Sequence, residues 1–347
     1  ELHRAVYGTL LRYYQVNRWG TTANTPQFLT WSFIPDGTSI PAAYPPGEAT
    51  SGSNLFSAMD AKFGGNRALW IAQVQACFDR WAVLTGTSYS RVTFNGNAWD
   101  DGAAFPNSSG SSGVRGDVRI GGHSIGGAGG ILAYNYYPAN GGDMVLDTTE
   151  NWGNTTNSYV TLRNTLTHEH GHGLGLLHVC PSNGTKLMEP YLNTGFDGPQ
   201  HDDLRGVMNY YGDAYESNNT SGAATYLGTL AANASLNPSA EPTPSITNGT
   251  LTSIGANGDE DWYRVTASAA LPVSVTVTPR GLTYDNSTQN SNGSCNSGNN
   301  FNSLAVAPLS VQIRAFDGTT VLGQASAAAG VTAMLSNVAV ASGTFYV

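Results

Sequence analysis

The chain has 347 residues, more than one hydrophobic core usually organises, so two domains are the first expectation. Charged residues make up 11%, the formal net charge is −9 and no Lys/Arg cluster stands out, which argues against nucleic acid or an anionic membrane surface as partner. No apolar run approaches the ~18 residues of a membrane span, and the 42 glycines, with abundant Asn, Ser and Thr, favour turns and short strands over long helices.

Residues 1–24 read as an N-terminal arm. Residues 30–34 read as a strand stopped by Pro35-Asp36-Gly37, and 41–54 as a loop rich in Pro, Gly and Ser. The spacing predicts a helix over 66–85, where Trp70, Val74, Cys77, Phe78 and Trp81 recur every three or four residues. Cys77 lies on that apolar stripe and reads as a buried free thiol. Segments 92–94, 114–120 and 131–134 read as strands, with a glycine-rich loop over 121–130. Helical spacing returns over 158–173 and 200–211.

After Gly212 no helix is predicted. Val273, Val275 and Val277 alternate with polar residues, as do Val311, Ile313 and Ala315 ahead of the Asp317-Gly318 turn. Residues 283–303 read as a long polar loop. Three cysteines, Cys77, Cys180 and Cys295, allow at most one internal disulfide; Cys180 is either a buried thiol or half of that bridge. The expected fold class is an α+β domain over 25–212, followed by an all-β sandwich over 213–347.

The chemistry concentrates in His168-Glu169-His170-Gly171-His172-Gly173-Leu174-Gly175-Leu176-Leu177-His178. On a helix, His168 and His172 are one turn apart and project from one face, so both can bind one Zn²⁺ at roughly 2.0–2.1 Å. Glu169 is placed to act on water beside the metal rather than on the metal. Gly175 can adopt the left-handed conformation that ends a helix sharply, which lets His178 return as third ligand. A fourth position stays open, as in catalytic zinc sites. A bare H-E-x-x-H is a weak signal, but H-E-x-x-H-x-x-G-x-x-H fixes five positions, with chance odds of roughly one in a hundred thousand for such a chain. His170 should point away from the shared face and not ligate; His3, His123 and His201 read as ordinary surface or core histidines.

This extended motif resembles that of the metzincin zinc peptidases, and its surroundings are similar to the matrixin branch. Met188, ten residues after His178 in Lys186-Leu187-Met188-Glu189-Pro190, resembles the methionine of the Met-turn. Segments 116–120, 129–133 and 142–150 resemble matrixin strand and loop signatures in the same order, and 202–212 is similar to the final matrixin helix. The resemblance implies a zincin-type α+β catalytic domain, with a twisted mixed sheet and an active-site helix. It implies a zinc ion on His168, His172 and His178, Glu169 as general base, Met188 beneath the metal, and calcium at Asp147 and Glu150. It also implies a secreted, extracellular metalloendopeptidase whose protein or peptide substrate lies extended along 129–134. The positions that match a family structural zinc are Tyr134 and Val145, so a second zinc is not expected.

Segments 213–219 and 258–263 are similar to the bacterial pre-peptidase C-terminal domain, a β-sandwich often appended to secreted peptidases. The chain ends at Phe345-Tyr346-Val347, which reads as mid-strand, so the sandwich is expected to continue further. Two other functions share these residues: an inert peptidase-like binding or adhesion protein, and a zinc amidase acting on cell-wall or sugar amides. Intact Glu169 and His178 weigh against the first; the substrate-strand and Met-turn resemblance weighs against the second.

Overall fold

A computed structural model describes residues 14–43, 47–239, 252–255 and 258–347. The first part of the expected arm, with His3, lies outside the described residues. In chain order, the elements up to Gly212 are β1 (Gln27–Phe33), β2 (Ser39–Ile40), β3 (Ser51–Gly52), α1 (Leu55–Lys62) and α2 (Arg67–Leu84). They continue with β4 (Thr87–Arg91), β5 (Val118–His123), β6 (Ala133–Asn135), β7 (Met144–Asp147), α3 (Val160–Gly173), β8 (Val179–Cys180) and α4 (His201–Tyr211).

Five strands form one twisted mixed sheet in the order β4-β1-β5-β7-β6. All neighbours in it are parallel except β6, which runs antiparallel to β7 at the edge. The α2 stripe packs on β1 as its spacing predicts: Trp31 stacks on Phe78 at 4.8 Å and Phe33 meets Trp70 edge-on at 5.0 Å. The Asn66 side chain accepts the Leu69 N–H at 3.1 Å and caps that helix. Cys77 is a buried free thiol that burial pushes up to about 12, so it is unreactive.

Some boundaries differ from the sequence reading. The strand expected over 92–94 lies at β4 instead, whose sequence TSYSR shows almost no apolar pattern because only Thr87 is buried. β5 continues through Gly121 and Gly122, expected as the start of a loop. These glycines answer crowding rather than turning. A Cβ on Gly121 would lie 2.5 Å from Ile34 Cδ1, and one on Gly122 2.9 Å from Thr148 Cγ2. Helix α1 carried no signal, since eight residues are too few for an apolar repeat to declare itself.

Among the described residues from Thr225 onward the regular elements are strands, apart from one 3₁₀ turn at Ser303–Ala305. They are β9 (Thr225–Leu230), β10 (Tyr263–Ala267), β11 (Leu271–Val277), β12 (Thr283–Thr288), β13 (Asn299–Asn302), β14 (Leu309–Arg314), β15 (Val321–Ala327), β16 (Ala333–Val340) and β17 (Gly343–Tyr346). A sheet in the order β15-β14-β17-β10-β9 and the pair β11-β16 share one core. Val265, Ile313 and Phe345 of the first meet Val273, Leu335 and Val340 of the second, the packing of two sheets face to face.

Residues 283–303 are not the long loop expected. β12 and β13 form an antiparallel hairpin, and the end of β12 pairs with β8, Ser287 opposite Cys180 and Thr288 opposite Val179. A disulfide joins Cys180 to Cys295 and settles the pairing left open by the sequence. The hairpin was illegible because it buries little apolar surface of its own and finds its partner strand more than a hundred residues away.

Candidate metal centre

Helix α3 carries Leu162 and Leu166 into the core and turns His168 and His172 to one face. It ends at Gly173, after which Gly175 takes φ +99° and the Leu176 N–H bonds back to Gly171 O at 2.9 Å. Gly175 is required for a second reason: a Cβ there would lie 2.0 Å from Asn17 O. The arm braces this turn from outside, with Val16 N–H donating to Gly175 O at 3.0 Å and Leu177 N–H to Tyr14 O at 2.8 Å. The chain therefore comes back on itself and delivers His178.

The Nε2 atoms of His168 and His172 each lie 3.1 Å from His178 Nε2. Every ring places Nδ1 on an acceptor: His168 on Leu187 O, His172 on Leu176 O and His178 on Gln289 Oε1, each at 2.7 Å. An oxygen of this kind only accepts, so Nδ1 carries the proton and three Nε2 lone pairs converge. Ligands at ~2.0–2.1 Å from a tetrahedral ion stand about 3.3 Å apart, so the trio fits zinc. Burial foremost holds the rings neutral: His168 falls to about 3, with His178 adding repulsion, and His172 is lowered further by both neighbours. His170 turns away, its Nε2 2.8 Å from the Tyr89 hydroxyl and its ring against Phe78.

Glu169, which follows His168 on α3, is buried, and burial alone pushes its carboxyl up to about 8. A dication among the imidazoles would pull it back down. Met188 packs beneath α3, where a Cβ on Gly171 would lie 2.4 Å from its Sδ. The Met188 loop is held from two sides. Asp203 accepts the N–H groups of Leu187 and Met188 at 2.8 and 3.0 Å, and that of Gln200 at 2.7 Å. Glu189 accepts those of Gly184, Thr185 and Lys186 at 2.6, 2.9 and 3.1 Å, and pairs with Lys186 Nζ at 3.0 Å. Sequence reasoning found Met188 and missed these supports. Gln200 and Asp203, spaced as a capping box at the start of α4, offered a signal for one of them; Gln289 offered none.

Residues 66–212 match the family model of the matrixins. This part of the chain is a matrixin-like metzincin domain. It is similar to the hatching enzyme of Paracentrotus lividus, 35% identical over 142 residues, which are 37% of this chain and 22% of that protein. It is also similar to matrix metalloproteinase-18 of Xenopus laevis, 36% identical over 104 residues, 28% of this chain and 22% of the relative. The matched stretch thus spans about a fifth of either relative's length.

In the matrixin-like domain Asp147 and Glu150 close the glycine-rich loop. Asp147 accepts the N–H groups of Gly126 and Thr149 at 3.2 and 2.8 Å, and Glu150 that of Gly129 at 2.6 Å. No third imidazole, thiolate or carboxylate joins them to form a metal-sized group among the described residues. Tyr134 and Val145 sit opposite each other across β6 and β7. The Tyr134 hydroxyl donates to Glu48 at 2.8 Å, and Glu48 also meets His123 Nε2 at 2.6 Å. A second group able to hold a cation lies beyond the matrixin-like domain: Glu216, Asp259 and Asp261 have carboxylate oxygens within 4.8 Å of one another.

Several carboxyls are raised, by burial foremost: Asp143, Asp202 and Glu216 to about 7, Glu169 and Asp261 to about 8. Between about pH 6.5 and 8 the fold keeps these protons while the unfolded chain has lost them, so stability falls as pH rises. Below about 6.5 the depressed histidines act with the opposite sign, because the unfolded chain binds their protons first. In chelator-containing buffer the urea midpoint is therefore expected to be lower at pH 8 than at pH 6.5. A midpoint that holds or rises over that interval would contradict these assignments.

Proposed function

We propose that this protein is a secreted zinc endopeptidase, with residues 25–212 as the catalytic domain and 213–347 as an accessory β-sandwich. The observation that carries the reading is the convergence of three neutral Nε2 atoms at the end of a helix on which the buried Glu169 directly follows His168. His168, His172 and His178 would hold the ion. Zinc, when bound, supplies Lewis-acid chemistry that acidifies water toward pKa ~7 and stabilises negative charge on the carbonyl oxygen.

Glu169 takes a proton from the attacking water as its oxygen bonds to the peptide carbonyl carbon, then passes that proton to the departing amine as the C–N bond breaks. The substrate chain would lie extended against β6, which among the described residues has a sheet neighbour on one side only and can accept another strand by backbone pairing. Secretion agrees with the Cys180–Cys295 disulfide, which persists in oxidising surroundings. No helix among the described residues is long and apolar enough to cross a membrane.

The test is digestion of denatured casein by the full chain, before and after metal removal. Cleavage is expected, with one zinc bound per chain. A strong chelator should abolish it, and stoichiometric zinc should restore it. Intact casein in the presence of bound zinc would overturn the endopeptidase reading and favour an inert binding protein or an amidase for other amides, which glycan and cell-wall substrates would then distinguish.

A further inference from the structure

Two of the three metal-facing histidines rest their Nδ1–H on backbone carbonyls within ten residues or so of the zinc motif, but the third does not. His178 Nδ1 meets the side chain of Gln289, 111 residues further along the chain. Gln289 directly follows β12, whose pairing of Thr288 with Val179 sets it beside His178. Its orientation is decided by a second contact: Nε2 donates to Gly293 O at 2.9 Å, and a carbonyl can only accept. Oε1 must therefore be the atom facing His178, which puts the proton on Nδ1 and leaves Nε2 bare toward His168 and His172.

The hairpin that carries Gln289 is fastened to the matrixin-like domain at independent points. Cys295, opposite Gln289 in an isolated bridge, is disulfide-bonded to Cys180 two residues past His178. The Tyr284 hydroxyl donates to Asp202 and accepts from Arg205 Nη1 at 3.1 Å, while the Arg205 guanidinium lies over Phe301 at 5.0 Å. These contacts hold an otherwise polar hairpin against the start of α4 and the return of the zinc motif.

We propose that Gln289 is a positioning residue of the metal centre, fixing the tautomer and ring orientation of His178, so that the strand-rich C-terminal part completes the support of the third ligand. The inference rests on the zinc reading above. Hydrogen-bond partners of this kind, when removed, commonly cost 10–100-fold in metal affinity.

The experiment measures zinc affinity of the full chain by competition with a chromophoric chelator, with thermal unfolding alongside. Gln289→Leu keeps the side-chain volume but cannot accept the hydrogen bond from His178 Nδ1–H, and is expected to bind zinc about 10–100-fold more weakly. Gln289→Asn withdraws the oxygen by one methylene and is expected to weaken binding likewise, which preserves the comparison where Leu unfolds the hairpin. Gln289→Glu keeps an accepting oxygen and should bind at least as tightly as wild type. Wild-type affinity in the Leu and Asn variants overturns the proposal. So does a Glu variant as weak as Leu, which would mean that the hairpin's integrity and not its accepting oxygen matters. A wild-type chain that binds no zinc removes the reading beneath it, a failure visible before any variant is compared.

Discussion

Glu169→Gln is expected to bind zinc with wild-type affinity and to cleave casein at least ~100-fold more slowly than wild type. Positioned general bases contribute roughly 10²–10⁴-fold, and glutamine keeps the shape of the side chain while losing its ability to take the proton. The metal should remain because the three Nε2 atoms and their Nδ1 acceptors involve no atom of Glu169. The fold should remain as well, since a carboxyl that burial raises to about 8 is one whose ionisation the fold opposes. Initial rates and zinc content per chain read the two halves separately. Loss of zinc, or a rate within about threefold of wild type, would contradict the assigned role; about threefold is far below the general-base range.

Arg119→Met is expected to lower the stability of the matrixin-like domain by about 3–5 kcal/mol. Arg119 lies on β5 with strands on either side, and both it and Asp100 have fully buried side chains. Nε and Nη2 of Arg119 reach the two Asp100 oxygens at 2.7 and 3.1 Å. Nη1 and Nη2 also donate to Ala104 O at 2.8 Å and Ala103 O at 3.0 Å. Asp100 in turn accepts the Ser32 hydroxyl at 2.8 Å and the Gly102 N–H at 2.9 Å. Methionine fills much of the volume but strands a buried carboxylate and two carbonyls, which is the costly way to break such a pair. The double variant Arg119→Met with Asp100→Leu should recover part of the loss, since it removes the unpaired charge. Urea unfolding of the full chain checks both, and a single-variant loss below about 1 kcal/mol would place the pair with weak surface contacts instead.

What was legible in the sequence is what chemistry or periodicity ties to a fixed local spacing. His168 and His172 had to be four apart to share a helix face, and Gly175 had to be a residue free to go left-handed before His178 could return. The stripe from Trp70 to Trp81 announced α2 because a helix packed on a sheet repeats its buried face every three to four residues. Met188, ten residues after His178, was found through its resemblance to the methionine of the Met-turn. These features depend on neighbours within about three helical turns, so a linear reading reaches them.

Only the tertiary structure decided the rest. The burial of Arg119 follows from β1 and β7 flanking β5 and from Asp100 arriving by a separate loop. Residues 283–303 read as loop because a hairpin fastened by a disulfide, a tyrosine–aspartate contact and a borrowed edge strand needs no alternating apolar pattern. Gln289 has no motif at all. Its position beside His178 exists only once β12 pairs with β8, and a hydrogen bond made across 111 residues leaves no trace in local spacing. The sequence by itself determined which atoms can hold a metal, through the geometry of one helix and one turn; which groups orient those atoms was decided by contacts that form only when distant segments pack.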